Sequence, residues 1–391
     1  MTTAVEIKGT SDTRFEGVKE AFAQNFADFG EVGAAVAVVV DGRTVVDLWA
    51  GHADSALSRP WQQDTIANVY STTKGITAIC AHRLADQGLL DIDAPVAKYW
   101  PEFAQAGKEN LPVRYLLSHR AALPAVRQVL PPGSAYDWDK MASALAAEEP
   151  WWEPGTKHGY HALTFGNLVG EVVRRISGQT IGTYFRKEIA VPLGLDFHIG
   201  LSEDHDARTA EMLPLELPAP DEANPIFKVL ADPQSMTFKA FANPPDLMLP
   251  GTVNTRAWRA AEIPAANGHS DARSLARLYG ALARGGELDG VHVLSREAIE
   301  RTRVEQSYGE DAVLIGLPSR FGLGFMLDLP EHPIVPQGEM FGHPGAGGSL
   351  GFADPTTAVG FGYVMNKMLL PPDYFVDPRW RSLVDAAYAA L

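Results

Sequence analysis

The sequence predicts an α/β (α+β) protein in which an antiparallel sheet, formed by both chain ends and flanked by helices, carries an inserted, mostly helical domain. Two observations lead there. β-rich runs gather towards the two ends: GAAVAVVV and RTVVDLWAG on one side, FGLGFMLDL, GGSLGFAD and AVGFGYVMN on the other. Between them, from about 89 to 200, apolar residues recur at helical spacing. The expected limits are 1–75 with 255–391 for the α/β domain and 76–254 for the helical domain, the latter with a proline-rich lid or binding insertion at 213–254.

The elements follow in chain order. Val18, Phe22, Phe26 and Phe29 fall on one face of a first amphipathic helix. Asp41-Gly42 joins the first two β-rich runs, and an Asp-Gly pair suits the tight turn of a hairpin. A short run at 65–69 leads into Ser71. Ile76, Ile79, Cys80, Arg83 and Leu84 then mark a helix that Gly88 can end. Phe165, Leu168, Val169, Val172, Val173 and Ile176 make the clearest apolar stripe of the middle region. Residues 213–254 combine many prolines with Phe227, Met236, Phe238, Phe241 and Met248, the composition of a lid, a binding loop or an irregular packed insertion. A helix at 271–284 precedes the C-terminal strands, with Asp354-Pro355 turning between the last two. Asp377 and Pro378 cap and open a final helix.

Composition excludes several function classes. The 391 residues are 46% hydrophobic and 21% charged, as in soluble globular proteins. Net charge is −15, with no basic cluster, so a nucleic-acid partner is not expected. The single cysteine, Cys80, excludes an intrachain disulfide and a cysteine-based zinc site. The chain opens without a basic start and apolar core, and its longest apolar run, 34–40, is too short for a membrane span. A cytoplasmic protein is expected.

Three motifs carry chemistry. In Val69-Tyr70-Ser71-Thr72-Thr73-Lys74, a strand gives way to a helix, with Lys74 one turn after Ser71. A serine hydroxyl needs a nearby base, and a lysine amine serves once burial depresses its pKa. The helix start also offers unpaired N–H groups to a developing oxyanion. The bland reading is a serine cap with a solvated lysine. Second, Tyr160 in EPGTKHGYHA stands where a loop enters a helix, and a tyrosine there acts as acid or base, or simply packs. Third, Gly342-His343-Pro344-Gly345-Ala346-Gly347-Gly348-Ser349 is a glycine-rich strand entry that lets backbone N–H groups approach a substrate.

In this order the motifs resemble the serine β-lactamase and penicillin-binding-protein superfamily on its class C side, and within it the family VIII carboxylesterases. The resemblance takes in STTKG, GLLDIDAPVAKYWPEF, LLSHRAAL, EPGTKHGYHALTFGNLVGEVVRRISG, VPLGLDF and FGHPGAGGSLGFADP, nearly the whole chain. It implies a β-lactamase/transpeptidase-like fold, with Ser71 as nucleophile. It further implies that Lys74 and Tyr160 share the serine proton, and that the backbone N–H groups of Ser71 and Ala346 form the oxyanion hole. Neither metal nor cofactor is implied; the partner is a small-molecule ester. Two positions depart from the lactamase pattern. Ala162 stands where Tyr-x-Asn has its Asn, and His343-Pro344-Gly345 replaces Lys-Thr-Gly. Both changes weaken recognition of β-lactams and leave ester cleavage intact. Ala162, His343 and Gly345 are the substrate-facing positions this implies. Phe238 and Trp258 are further candidates from the apolar stretch 227–258, which either lines a pocket or packs the insertion.

The expectation is therefore a hydrolase of small to medium carboxylic esters. An acyltransferase, a weak β-lactamase and an amide or D-amino-acid peptide hydrolase use the same chemistry, and a binding protein could retain the scaffold alone. Gly347-Gly348-Ser349-Leu350-Gly351 imitates a nucleophile elbow, but no histidine follows His343 to complete a triad. His158 and His161 lack an evident third metal ligand, His119 reads as structural, and Cys80 as core.

Overall fold

The computed structural model describes residues 5–215, 228–229, 232–315, 317–336, 339–371 and 376–391. Phe227 and part of the 213–254 insertion lie outside them.

Nine strands make one antiparallel sheet from the two ends of the chain, as the sequence predicts. They are β1 (Ile7–Ser11), β2 (Gly33–Val40), β3 (Arg43–Gly51), β4 (Ser307–Glu310), β5 (Pro318–Phe321), β6 (Met326–Leu327), β7 (Phe341–Pro344), β8 (Leu350–Asp354) and β9 (Val359–Met365). Their order across the sheet is β1-β3-β2-β9-β8-β7-β6-β5-β4. The join between the halves is β2 against β9, with Val359 opposite Val40 and Met365 opposite Ala34. β2 is buried from Gly33 to Val39, which explains a run of small and β-branched residues without polar alternation.

Helix α1 spans Glu16–Phe29, α2 Thr73–Asp86, α3 Thr164–Ser177, α4 Met236–Ala242, α5 Ala272–Ala283 and α6 Pro378–Ala389. α5 lies directly on β9. A Cβ on Gly360 would stand 2.1 Å from the Gly280 nitrogen, so only glycine permits that approach. α1 and α6 pack on each other and are tied where the Asn25 side-chain amide donates to the Arg379 carbonyl at 2.9 Å. One apolar core runs through the sheet and the α2–α3 region. A smaller cluster gathers Ala125, Tyr160, Ala162, Ala240, Val313 and Phe321.

One β-rich run is interrupted. FGLGFMLDL is not a single strand. β5 ends at Phe321, and 322–325 form the turn into β6, closed by the Gly322 N–H donating to the Phe325 carbonyl at 2.9 Å. Leu323 and Phe325 are buried within this turn, so it imitates the apolar alternation of a strand. The 65–69 run does extend into Ser71, but its Ala67–Asn68 strand joins a separate three-stranded sheet with Phe197–His198 and His269–Ser270.

Candidate active site

Ser71 sits on a sharp bend between the Ala67–Asn68 strand and α2. Tyr70 adopts φ of +42°, a left-handed conformation that non-glycine residues rarely hold. Neighbouring bonds lock it there: the Thr73 N–H and hydroxyl both donate to the Tyr70 carbonyl, and the Thr73 hydroxyl accepts from the Gly268 N–H at 2.9 Å. The bend leaves the Ser71 N–H ahead of the helix, without a hydrogen-bond partner among the described residues.

Lys74, in the first turn of α2, is wholly buried. Its Nζ lies 3.1 Å from Ser71 Oγ, 2.8 Å from the Ala162 carbonyl and 2.9 Å from the Ala265 carbonyl. No carboxylate pairs with it among the described residues. Burial without a counter-charge drives the lysine pKa well below its ordinary value. The amine also lies 4.7 Å from the centre of the Tyr160 ring.

Tyr160 comes from the loop before α3. Its N–H donates to Asp311 Oδ1 at 2.9 Å, and Asp311 also accepts from the Ser319 hydroxyl and the Val313 and Leu314 N–H groups. Burial pushes the tyrosine pKa up, and the neighbouring Ser71 hydroxyl offsets only part of that rise. The ring stacks near Phe321, with centroids 6.2 Å apart, and lies 6.4 Å from Phe241 of α4. His119 packs beneath, against Tyr160, Phe165 and Phe321, and its Nδ1 accepts from the His161 N–H.

The glycine-rich segment reaches Ser71 from the other side. The Ser349 hydroxyl donates to the Val69 carbonyl at 2.8 Å and lies 3.1 Å from Thr72 Oγ1, so it grips both flanks of the nucleophile candidate. It is 1% exposed and spent on this tie, which makes it a brace and not an elbow nucleophile. A Cβ on Gly345 would meet Ser349 Oγ at 2.1 Å and the Val69 carbonyl at 2.3 Å, so close passage requires that glycine. Ala346 is exposed, and its N–H, like that of Ser71, has no partner among the described residues.

The structure thus brings Ser71, Lys74, Tyr160 and Ala162 together, with His343 at one side, its ring 5.9 Å from that of Tyr160. His343 is buried, its Nδ1 faces the Pro344 carbonyl at 2.6 Å, and burial lowers its pKa to about 3. Trp258 sits in another cluster, with Ala135, Ile263 and Ala266, its indole N–H donating to Asn68 Oδ1. Phe238 is half-buried on α4, while Phe241 of the same helix is the ring beside Tyr160. Nothing in the sequence marks Asp311, Phe321 or Ala265 for a site role, and Phe241 stands there only as one of the apolar residues of the insertion. His158 bonds to Ser319, and the His161 ring accepts from the Leu123 N–H, so both are engaged within the fold. Among the described residues no group of three or more His, Cys, Asp and Glu side chains is arranged for a metal ion, and no helix is long and apolar enough to cross a membrane.

Comparison with known proteins agrees with this architecture. The sequence model described as Beta-lactamase matches residues 22–386. The chain is 41% identical over 371 residues to the esterase/beta-lactamase LipL of Mycobacterium tuberculosis, covering 93% of this chain and 83% of that protein. The crystal structure of a family VIII carboxylesterase superposes with a TM-score of 0.89 at 43% identity, covering 99% of this chain and all of that one. A penicillin-binding protein homologue from Caulobacter crescentus superposes with a TM-score of 0.87 at 41% identity, with 99% and 100% covered. The chain belongs to the beta-lactamase family.

Proposed function

We propose that this chain hydrolyses carboxylic esters of small to medium acyl chain through an acyl-enzyme on Ser71. The observation that carries the reading is the surroundings of the Lys74 amine. An ammonium has three N–H donors and no acceptor, whereas a neutral amine has two donors and a lone pair. The Ala162 and Ala265 carbonyls take two donors. The third contact is the Ser71 hydroxyl at 3.1 Å, which accepts from an ammonium and, in the neutral amine that burial without a counter-charge favours, donates to the lone pair instead. Lys74 is then the base.

Ser71 Oγ attacks the ester carbonyl as its proton passes to Lys74. The oxyanion falls between the Ser71 and Ala346 N–H groups, both without a partner among the described residues. Tyr160, kept protonated by burial, gives its proton to the leaving alkoxide and recovers one from Lys74. Water then attacks the acyl-enzyme by the reverse proton path. The charge balance favours uncharged substrates. His343, neutral in its buried place, cannot hold a substrate carboxylate as a lysine there would, and the chain carries a net −15. The names of LipL and of the family VIII carboxylesterase support an ester substrate. One cysteine suits a reducing compartment, and we place the enzyme in the cytoplasm.

The test compares p-nitrophenyl esters of increasing acyl length with a chromogenic cephalosporin, in wild type and Ser71→Ala. Ester turnover that vanishes in Ser71→Ala and exceeds cephalosporin turnover by at least about 100-fold is expected. Ester turnover surviving in folded Ser71→Ala would overturn the proposal.

A further inference from the structure

Behind the glycine-rich segment lies a buried ion cluster that the chemistry above does not use. Arg379, in the first turn of α6, is 1% exposed. Its guanidinium spends every donor. Nη1 donates to Glu31 Oε1 at 2.7 Å and to the Lys367 carbonyl at 2.8 Å, while Nε and Nη2 bind the Asp377 carboxylate. The remaining Nη2 donor goes to the Gly347 carbonyl. Glu31 is in turn tied to β9, where the Tyr363 hydroxyl donates to its Oε1 at 2.7 Å.

The loop is shaped to this guanidinium. A Cβ on Gly348 would stand 2.1 Å from Arg379 Nη2, and Gly348 has φ of +127°. The Gly347 carbonyl receives a second bond from the Leu369 N–H at 3.0 Å. Gly347 directly follows Ala346, whose N–H is free among the described residues. Across the same loop the Gly345 N–H donates to the Ser349 carbonyl at 2.7 Å, and the Gly348 N–H to the Gly345 carbonyl at 3.0 Å. Ala346 therefore projects from a turn pinned at its neck by Ser349 and at its back by Arg379.

We propose that Arg379 is a positioning residue for acyl transfer: by fixing the Gly347 carbonyl it sets the direction of the Ala346 N–H towards the substrate oxyanion. The proposal rests on Ser71 and Ala346 being the oxyanion donors. An oxyanion hole works by donors fixed before charge develops, so a loosened donor weakens transition-state binding more than substrate binding. Arginine suits the task because its planar fork bonds several acceptors in one fixed geometry, which a lysine point charge does not.

The test uses Arg379→Lys, Arg379→Met and Glu31→Gln in the full chain, with Val46→Ala, a core truncation on β3, as a control for general loss of stability. The readings are kcat and KM for a p-nitrophenyl ester, the rate at which a fluorophosphonate labels Ser71, and Tm. In both Arg379 variants kcat and the labelling rate fall together by about 10–100-fold while KM stays within about twofold. Arg379→Lys regains more Tm than kcat, because it restores charge for Glu31 and Asp377 but not the fork. Val46→Ala loses Tm and keeps kcat when measured below its melting range. Should the Arg379 variants not fold, Glu31→Gln decides: it keeps an acceptor for Arg379 but weakens its anchor, and a kcat loss of about 3–10-fold is expected. Wild-type kcat in folded Arg379→Lys and Arg379→Met, or in Glu31→Gln where those do not fold, overturns the proposal. Failure of wild type to label at Ser71 removes the underlying reading, and the proposal with it.

Discussion

Replacing Lys74 with methionine keeps the length of the side chain and removes the proposed base. Loss of a positioned general base costs about 10²–10⁴ in rate, or about 3–5 kcal/mol of barrier. The same change orphans the Ala162 and Ala265 carbonyls, at about 1–3 kcal/mol each in stability, so rates are compared where circular dichroism shows both proteins folded. Lys74→Arg separates a base from a bare positive charge, because guanidinium stays protonated at every accessible pH. Both variants are expected to lose kcat/KM for a p-nitrophenyl ester by about 10²-fold or more. The wild-type pH profile adds a second reading. A base must be unprotonated, so activity falls as pH drops through the Lys74 pKa. With that pKa well below its ordinary 10.5, the rate is expected to level off before the ordinary lysine range is reached, and the raised Tyr160 pKa keeps that hydroxyl protonated there. A rate rising tenfold per pH unit towards the ordinary lysine pKa, or a folded Lys74→Arg with activity near wild type, would refute the reasoning.

Ser349→Ala removes the ties to Val69 and Thr72 but not the nucleophile, so kcat is expected to fall about 3–10-fold in steady-state assays; abolition in folded protein would point to Ser349 as the reacting serine. Phe241→Ala opens the wall beside Tyr160, where the proposed mechanism has the leaving alcohol depart; KM for esters of bulky alcohols is expected to rise about 3–10-fold while methyl esters change little, and equal effects on both would contradict that placement. Acid should destabilise the fold. Burial lowers His82 and His161 to about 4 and His269 and His343 to about 3, against an ordinary 6.5. Between those values the unfolded chain binds more protons, so stability is fully present above 6.5 and is lost as pH falls, at up to about 1.4 kcal/mol per pH unit for each histidine. Urea midpoints that stay constant from about pH 7 to about pH 5 would contradict this.

The parts of the site that could be read from the sequence are those close together in the chain or carried by a recognisable string. Ser71 and Lys74 are three residues apart on one helical turn, and Tyr160 sits in a distinctive loop-to-helix junction. Asp311, Phe321, Phe241 and Ala265 come from segments far from one another in sequence. Asp311 looks like any loop acid until the fold brings four donors to it. The sheet divides in the same way. β2, β3, β8 and β9 are long and buried enough to show themselves, whereas β4 to β7 run only two to four residues, too short for a period to stand out in the sequence. β1 escapes notice for another reason: as the edge strand it buries little, and IKGTS lacks an apolar face. Trp258 and Phe238 are conspicuous in the sequence as large apolar residues, but size alone does not reveal which helix face turns to Tyr160.

The central claim is that the Ser71 hydroxyl becomes the acylated oxygen. Mass spectrometry of peptides after fluorophosphonate treatment tests it most directly. The account predicts one adduct, on the peptide containing Ser71, absent in Ser71→Ala and retained in Ser349→Ala. An adduct on Ser349, or none on Ser71 in folded, ester-cleaving protein, would contradict it.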